Sequence, residues 1–132
     1  MSGAQPARSV LIVDDNAAMR ALLRSLAEGT GSVVHECANA ERAVAMYEQI
    51  HPDCVLMDVK MKGTDGITAT RAIRRSDPHA WVIVVTEHHE EEYRRAATAA
   101  GASGFVPKER LLDLRDLLAR DPRDARDTGG AP

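Results

Sequence analysis

Aromatic side chains are nearly missing from this chain, with one Trp, one Phe and two Tyr among 132 residues. Without a series of aromatic faces it has no platform for stacking successive bases. A net charge of −3 leaves no basic surplus to neutralise a phosphate backbone, so direct nucleic-acid binding is not expected. Cysteine is also scarce. Cys37 and Cys54 lie in apolar-leaning stretches without CxxC spacing, which points to buried, reduced thiols and away from a disulfide framework or a zinc site. No apolar run approaches the roughly 18 residues of a membrane span, and Met1 to Arg8 lacks the apolar centre of a signal peptide. The expected location is therefore cytoplasmic, with no membrane partner.

Hydrophobic residues make up 44% and charged residues 28%, the balance of a chain that folds around a core. The length suits one domain without staples. Residues 1–8 and 121–132 have little to bury and are expected to be disordered, which leaves a folded body over 9–120.

Within that body, short apolar runs alternate with amphipathic stretches at helical spacing. Val10-Leu11-Ile12-Val13 has no polar alternation, as a strand covered on both faces should. A helix over 16–28 is expected to turn Ala18, Leu22 and Leu26 to the core, before Gly29 and Gly31 stop it. Val33–Cys37 and Cys54–Met57 read as the next strands. Between them lies a helix capped by Asn39, facing inward through Ala43, Met46, Tyr47 and Ile50, and broken at His51-Pro52. A helix over 67–75, a strand over 81–85, a helix over 90–100, a strand over 103–106 and a leucine-faced helix over 109–120 complete five βα units. Parallel strands with right-handed crossovers make an open, doubly wound α/β sheet the expected architecture.

Ligands of such sheets bind at the carboxyl ends of the strands. There this sequence places Asp14-Asp15, Asp58, Thr86 and Lys108. Any one polar residue after a strand is unremarkable, but three carboxylates meeting on one rim would repel unless a cation offsets them. Oxygen donors without histidine or cysteine suit Mg²⁺, or Mn²⁺ in its place. That arrangement fits phosphoryl chemistry, with Asp58 as nucleophile, Lys108 pairing with a phosphoryl oxygen and Thr86 hydrogen-bonding another.

From about Ser9 to Arg120 these positions resemble the receiver domains of two-component response regulators. The resemblance rests on the acidic pair Asp14-Asp15, on Asp58-Val59-Lys60-Met61 followed by Asp65-Gly66, and on Thr86, Phe105 and Lys108. It implies a flavodoxin-like sheet of strand order 2-1-3-4-5 and phosphotransfer to Asp58 from a sensor histidine kinase or a phosphotransfer protein. It also implies slow self-hydrolysis, so the domain is a switch and not a conventional enzyme. The metal would be held by Asp15, Asp58 and the backbone carbonyl of Lys60, with Asp14 acting through water. Thr86 and Phe105 would form the switch, and Lys60 and His88 would flank the path of the hydrolytic water and set the phosphoryl lifetime. A downstream protein would read the face of the last helix, and the domain would be a monomer or weak homodimer.

This sequence departs from the family pattern at Lys62, where a proline is usual, and at Glu109, where many members again carry proline after the lysine. Pro107 before Lys108 resembles the subfamily that usually carries a C-terminal helix-turn-helix; none follows here, which leaves a stand-alone receiver or a piece of a longer regulator. Three other readings compete. An aspartyl phosphatase would want an acid where Lys60 stands, and a flavin site would be repelled by Asp14-Asp15. A receiver-like scaffold acting without phosphate is suggested by Glu87 beside Thr86. His88-His89 with Glu90 to Glu92 reads as a solvated helix start, not a second metal site.

Overall fold

The computed structural model describes residues 8–61, 63, 65–88 and 90–120. The expected disordered ends, Arg8 aside, fall outside these residues, as do Lys62 and His89. The described chain runs β1 (Ser9–Val13), α1 (Ala17–Glu28), β2 (Val33–Cys37), α2 (Ala40–Ile50), β3 (Cys54–Met57), α3 (Gly66–Ser76), β4 (Val82–Thr86), α4 (Glu91–Ala99), β5 (Gly104–Pro107), a 3₁₀ turn (Lys108–Arg110) and α5 (Leu111–Leu118). All strand pairs are parallel, and the order β2-β1-β3-β4-β5 is the one expected.

Strand periodicity builds two core layers from one sheet. Leu11, Val13, Val55, Met57 and Val82 pack with Ala40, Ala43, Tyr47, Ala69 and Ile73 of α2 and α3. Their alternates Val10, Ile12, Leu56, Ile83 and Val85 pack with Leu23, Ala27, Leu114 and Leu118 of α1 and α5. Each fully buried Leu, Ile or Val contributes roughly 1.5–3 kcal/mol. The helices start where short polar side chains cap them. Asn16, Asn39 and Asp65 accept from the backbone N–H groups of Met19, Arg42 and Thr68 at 2.9, 2.8 and 2.8 Å. His51 ends α2 in the left-handed conformation, with φ 45°, just before Pro52.

Three expectations need correction. The buried stripe of α1 is Met19, Leu23 and Ala27, with Leu26 at its edge, while Ala18 is exposed and Leu22 is 46% exposed. The Asn16 cap fixes where the helix enters, and that sets its rotational phase. Strand β4 starts one residue later than expected, so Thr86 is its last residue and not the one beyond it. The last helix begins with a 3₁₀ turn at Lys108.

Candidate functional site

The β1–β3 register pairs Val13 with Met57, which brings the next residues, Asp14 and Asp58, side by side at the carboxyl edge. The backbone holds them there, since Asp58 N–H donates to Val13 O at 2.9 Å and Asp14 N–H to Cys37 O at 3.1 Å. Asp14 and Asp58 are both buried, while Asp15 is exposed at the rim. One carboxylate oxygen from each of the three lies within 4.8 Å of the others.

Lys108 reaches into this group from the turn after β5. Its Nζ lies 2.8 Å from Asp14 Oδ2 and donates to Asp58 Oδ2 at 3.4 Å. Asp58 Oδ1 accepts from Val59 N–H at 2.8 Å, and Asp14 Oδ1 from Asn16 N–H at 2.9 Å. The contact between Lys108 and Asp14 Oδ2 is an ion pair off the line of a hydrogen bond. Among the described residues this buried oxygen therefore has no hydrogen-bonded partner.

Burial pushes the Asp58 carboxyl above its usual range, and the Asp14 charge adds to the rise; Lys108 and the Val59 N–H oppose both. Burial disfavours the Lys108 ammonium, but Asp14 and Asp58 outweigh it, so the lysine titrates above its ordinary value. The Lys108 ammonium pairs with Asp14 and Asp58, and the three clustered carboxylates form an oxygen-only donor set. These features fit a small divalent cation.

The site is a pocket of about 190 Å³ lined by Asp14, Asp15, Asn16, Met19, Asp58, Lys60, Glu87, His88 and Lys108. It gathers every expected residue except Thr86 and Phe105. Thr86 is fully buried, and its Oγ1 accepts from His88 N–H at 3.1 Å. Phe105, opposite Val84 in the register, packs beside Val59, Val84, Ala97 and Tyr93, with the Arg94 guanidinium 4.7 Å from its ring centroid.

Sequence reasoning missed Tyr93. The Lys60 ammonium sits 5.5 Å from the centroid of its ring, and the His88 ring is 5.5 Å from it as well. Only the tertiary approach of α4 to the β3 and β4 loops reveals that grouping. Asn16 and Met19 were readable in principle, because the first turn after a strand-end acid faces the same pocket.

The family model for the response regulator receiver domain matches residues 10–120. The chain is 41% identical over 102 residues to the chemotaxis protein CheY of Halobacterium salinarum, covering 77% of this chain and 85% of that one. Among solved structures it is similar to a LuxR-family two-component response regulator from Aurantimonas sp. SI85-9A1. There the TM-score is 0.76 and the identity 33%, over 92% of this chain and 94% of the other. It is also similar to a Borrelia burgdorferi chain solved as a CheX–CheY–BeF3–Mg²⁺ complex, with TM-score 0.76 and 27% identity, over 83% of this chain and 87% of that one. Sheet order, the carboxylate cluster at the strand ends and these likenesses agree: the chain belongs to the response regulator receiver domain family, the flavodoxin-like phosphosignalling module of two-component systems.

Proposed function

We propose that Asp58 accepts a phosphoryl group from the phosphohistidine of a sensor histidine kinase or phosphotransfer protein. The observation that carries this reading is the Asp14, Asp15 and Asp58 cluster bridged by Lys108 at the end of β1 and β3. An Asp58 carboxylate oxygen attacks phosphorus, the donor's N–P bond breaks, and the imidazole leaves with the electron pair and takes up a proton. The product is an acyl phosphate on Asp58. Lys108 then pairs with a phosphoryl oxygen as a point charge. Thr86 exchanges the His88 contact for a hydrogen bond to another phosphoryl oxygen, and Phe105 follows it inward.

Asp15, Asp58 and the Lys60 carbonyl would hold Mg²⁺, with Asp14 acting through water. Bound there, the ion offsets charge on the transferring group. The domain's chemistry is confined to its own phosphorylation and slow dephosphorylation, so its output is a changed face at α4, β5 and α5 read by a protein partner. Among the described residues no helix is long and apolar enough to cross a membrane. On the family's role alone, the switch is taken to be cytoplasmic and monomeric or weakly dimeric. Pro107 and the LuxR-family likeness support kinship with receivers that carry a helix-turn-helix. Incubation with acetyl phosphate is expected to add a phosphoryl group with Mg²⁺ present and none after chelation. Equal labelling in both conditions would contradict the metal-assisted reading.

Two further results follow from the pocket. A ligand that prefers the native state stabilises it by about 2.7 kcal/mol at a hundred times its Kd. Saturating Mg²⁺ is therefore expected to raise the melting temperature by several degrees. Asp15→Asn should remove most of that rise, and a variant that responds like wild type would exclude Asp15 from the metal site.

Lys60 and His88 both line the pocket and both lie beside the Tyr93 ring. Replacing both with alanine is expected to speed decay of the aspartyl phosphate severalfold at fixed Mg²⁺. Decay at the wild-type rate would show that they do not control the water's approach.

A further inference from the structure

The peptide that joins Asp14 to Asp15 is held from outside the pocket. Arg20, on the second turn of α1, donates from Nη1 to the Asp14 carbonyl oxygen at 2.7 Å. Its Nε donates to Glu36 Oε1 at 3.1 Å, and Glu36 Oε2 accepts from Arg24 Nε at 2.5 Å. Arg24 in turn pairs with Glu28 at 3.0 Å. Glu36 stands on β2 opposite Ile12, two residues before Asp14. Its carboxyl is held below the usual range, chiefly by the Arg24 hydrogen bond, so it is a charged acceptor at neutral pH.

These contacts converge on one peptide plane. The Asp14 carbonyl belongs to the same planar unit as the Asp15 N–H, so fixing its direction fixes how Asp14 and Asp15 leave the backbone. Asn16 N–H, bonded to Asp14 Oδ1, holds the other side of Asp15. We infer that Arg20 is a positioning residue for the metal site: through the Asp14 carbonyl it orients the acid pair, and the Glu36–Arg24 pair keeps its guanidinium aimed there. The inference rests on the metal-holding role proposed for these acids.

Charge and geometry predict opposite signs for the loss of Arg20. By Coulomb's law alone, removing a cation near a divalent ion's site tightens binding of that ion. If Arg20 orients the acid pair, removing it weakens binding, and the loss of a partner that orients ligands typically costs 10–100-fold in affinity. The Arg20 side chain is also only one-fifth exposed, so its two bonds have few competing arrangements in water.

The test is isothermal titration of Mg²⁺ into folded wild type, Arg20→Gln, Arg20→Lys and Arg24→Gln, each checked by its melting curve. Arg20→Gln is expected to bind about tenfold more weakly. Arg20→Lys keeps the charge but cannot hold the carbonyl and Glu36 with the same fork, so a smaller loss is expected. Arg24→Gln, which reaches the acid loop only through Glu36 and Arg20, should lose less affinity than Arg20→Gln. Arg20→Gln binding as tightly as wild type, or more tightly, overturns the inference, and so does an equal loss in Arg24→Gln. If Arg20→Gln fails to fold, wild-type affinity in Arg20→Lys overturns it just as directly. Absence of Mg²⁺ binding in wild type would refute the metal-site reading itself, a result distinct from the other outcomes.

Discussion

Gly66→Ala is expected to lower stability by roughly 3 kcal/mol, or about 10 °C in melting temperature. A Cβ at this position would lie 1.7 Å from the Asp58 carbonyl oxygen, 2.8 Å from its carbon and 2.9 Å from Met57 Cγ. Two of those neighbours are backbone at the end of a central strand and cannot swing away. Gly66 itself is fastened in place, since its N–H donates to Val59 O at 2.8 Å and its carbonyl accepts from Thr70 Oγ1 at 2.7 Å. Relief therefore requires α3 to lift off β3 or the Asp58 peptide to move, and phosphorylation should slow along with the loss of stability. Thermal unfolding beside Gly31→Ala supplies the comparison. Gly31 has φ +85° but open space around it, so only backbone strain of about 1 kcal/mol applies there. A Gly66→Ala loss no larger than that would show that the acceptor loop absorbs a methyl group.

Lys108→Met is expected to cost about 2 kcal/mol at pH 7. Removing one partner of a buried ion pair typically costs 3–5 kcal/mol, and the lower figure applies because this pocket opens to water. The Lys108 side chain is 9% exposed and is the ammonium that pairs with both Asp14 and Asp58. The sign of the pH dependence follows from the two shifts. Asp58 titrates above its ordinary value of 3.8 in the folded state, so its ionisation costs stability as pH rises through the folded value, and without Lys108 that cost grows. Lys108 titrates above 10.5, so its contribution is fully present below 10.5 and is lost as pH rises through the folded value. The gap between wild type and variant should therefore be wide at neutral pH and narrow both as pH falls through the folded Asp58 value toward 3.8 and as it rises above 10.5. Urea unfolding across that range measures it. Added Mg²⁺ should recover part of the neutral-pH loss, since it answers the same carboxylate repulsion. A gap that does not change with pH would assign the lysine's contribution to packing.

The sheet was legible because buried parallel strands announce themselves as short runs such as Val10–Val13 and Cys54–Met57, and the acids that follow them inherit the strand register. The phase of α1 was not. Ala18, Leu22 and Leu26 are as well spaced as Met19, Leu23 and Ala27, and only the chain's entry at Asn16 decides between them. Asp14, Asp15, Asp58, Lys60, His88 and Lys108 gather as expected, whereas Thr86 and Phe105 lie off the pocket. Thr86 continues the parity of Val82 and Val84, and Phe105 pairs with Val84, so strand alternation carries both toward the α4 layer. A residue's place at a strand end is readable from sequence; the direction of its side chain depends on which residue ends the strand, and here that boundary moved by one. Arg20 was readable as a polar position on α1, but its bond to the Asp14 carbonyl depends on how β2 and α1 pack.

The most direct test of the central claim is the intact mass of wild type and Asp58→Asn after incubation with Mg²⁺ and acetyl phosphate, with the modified residue mapped by proteolysis. Asparagine keeps the acceptor for the Val59 N–H and removes the charge, so the fold should survive the change. Wild type is expected to gain one phosphoryl group located on Asp58, and the variant none. Labelling of Asp58→Asn to the wild-type extent, or a wild-type phosphoryl group mapped to another residue, would contradict the account.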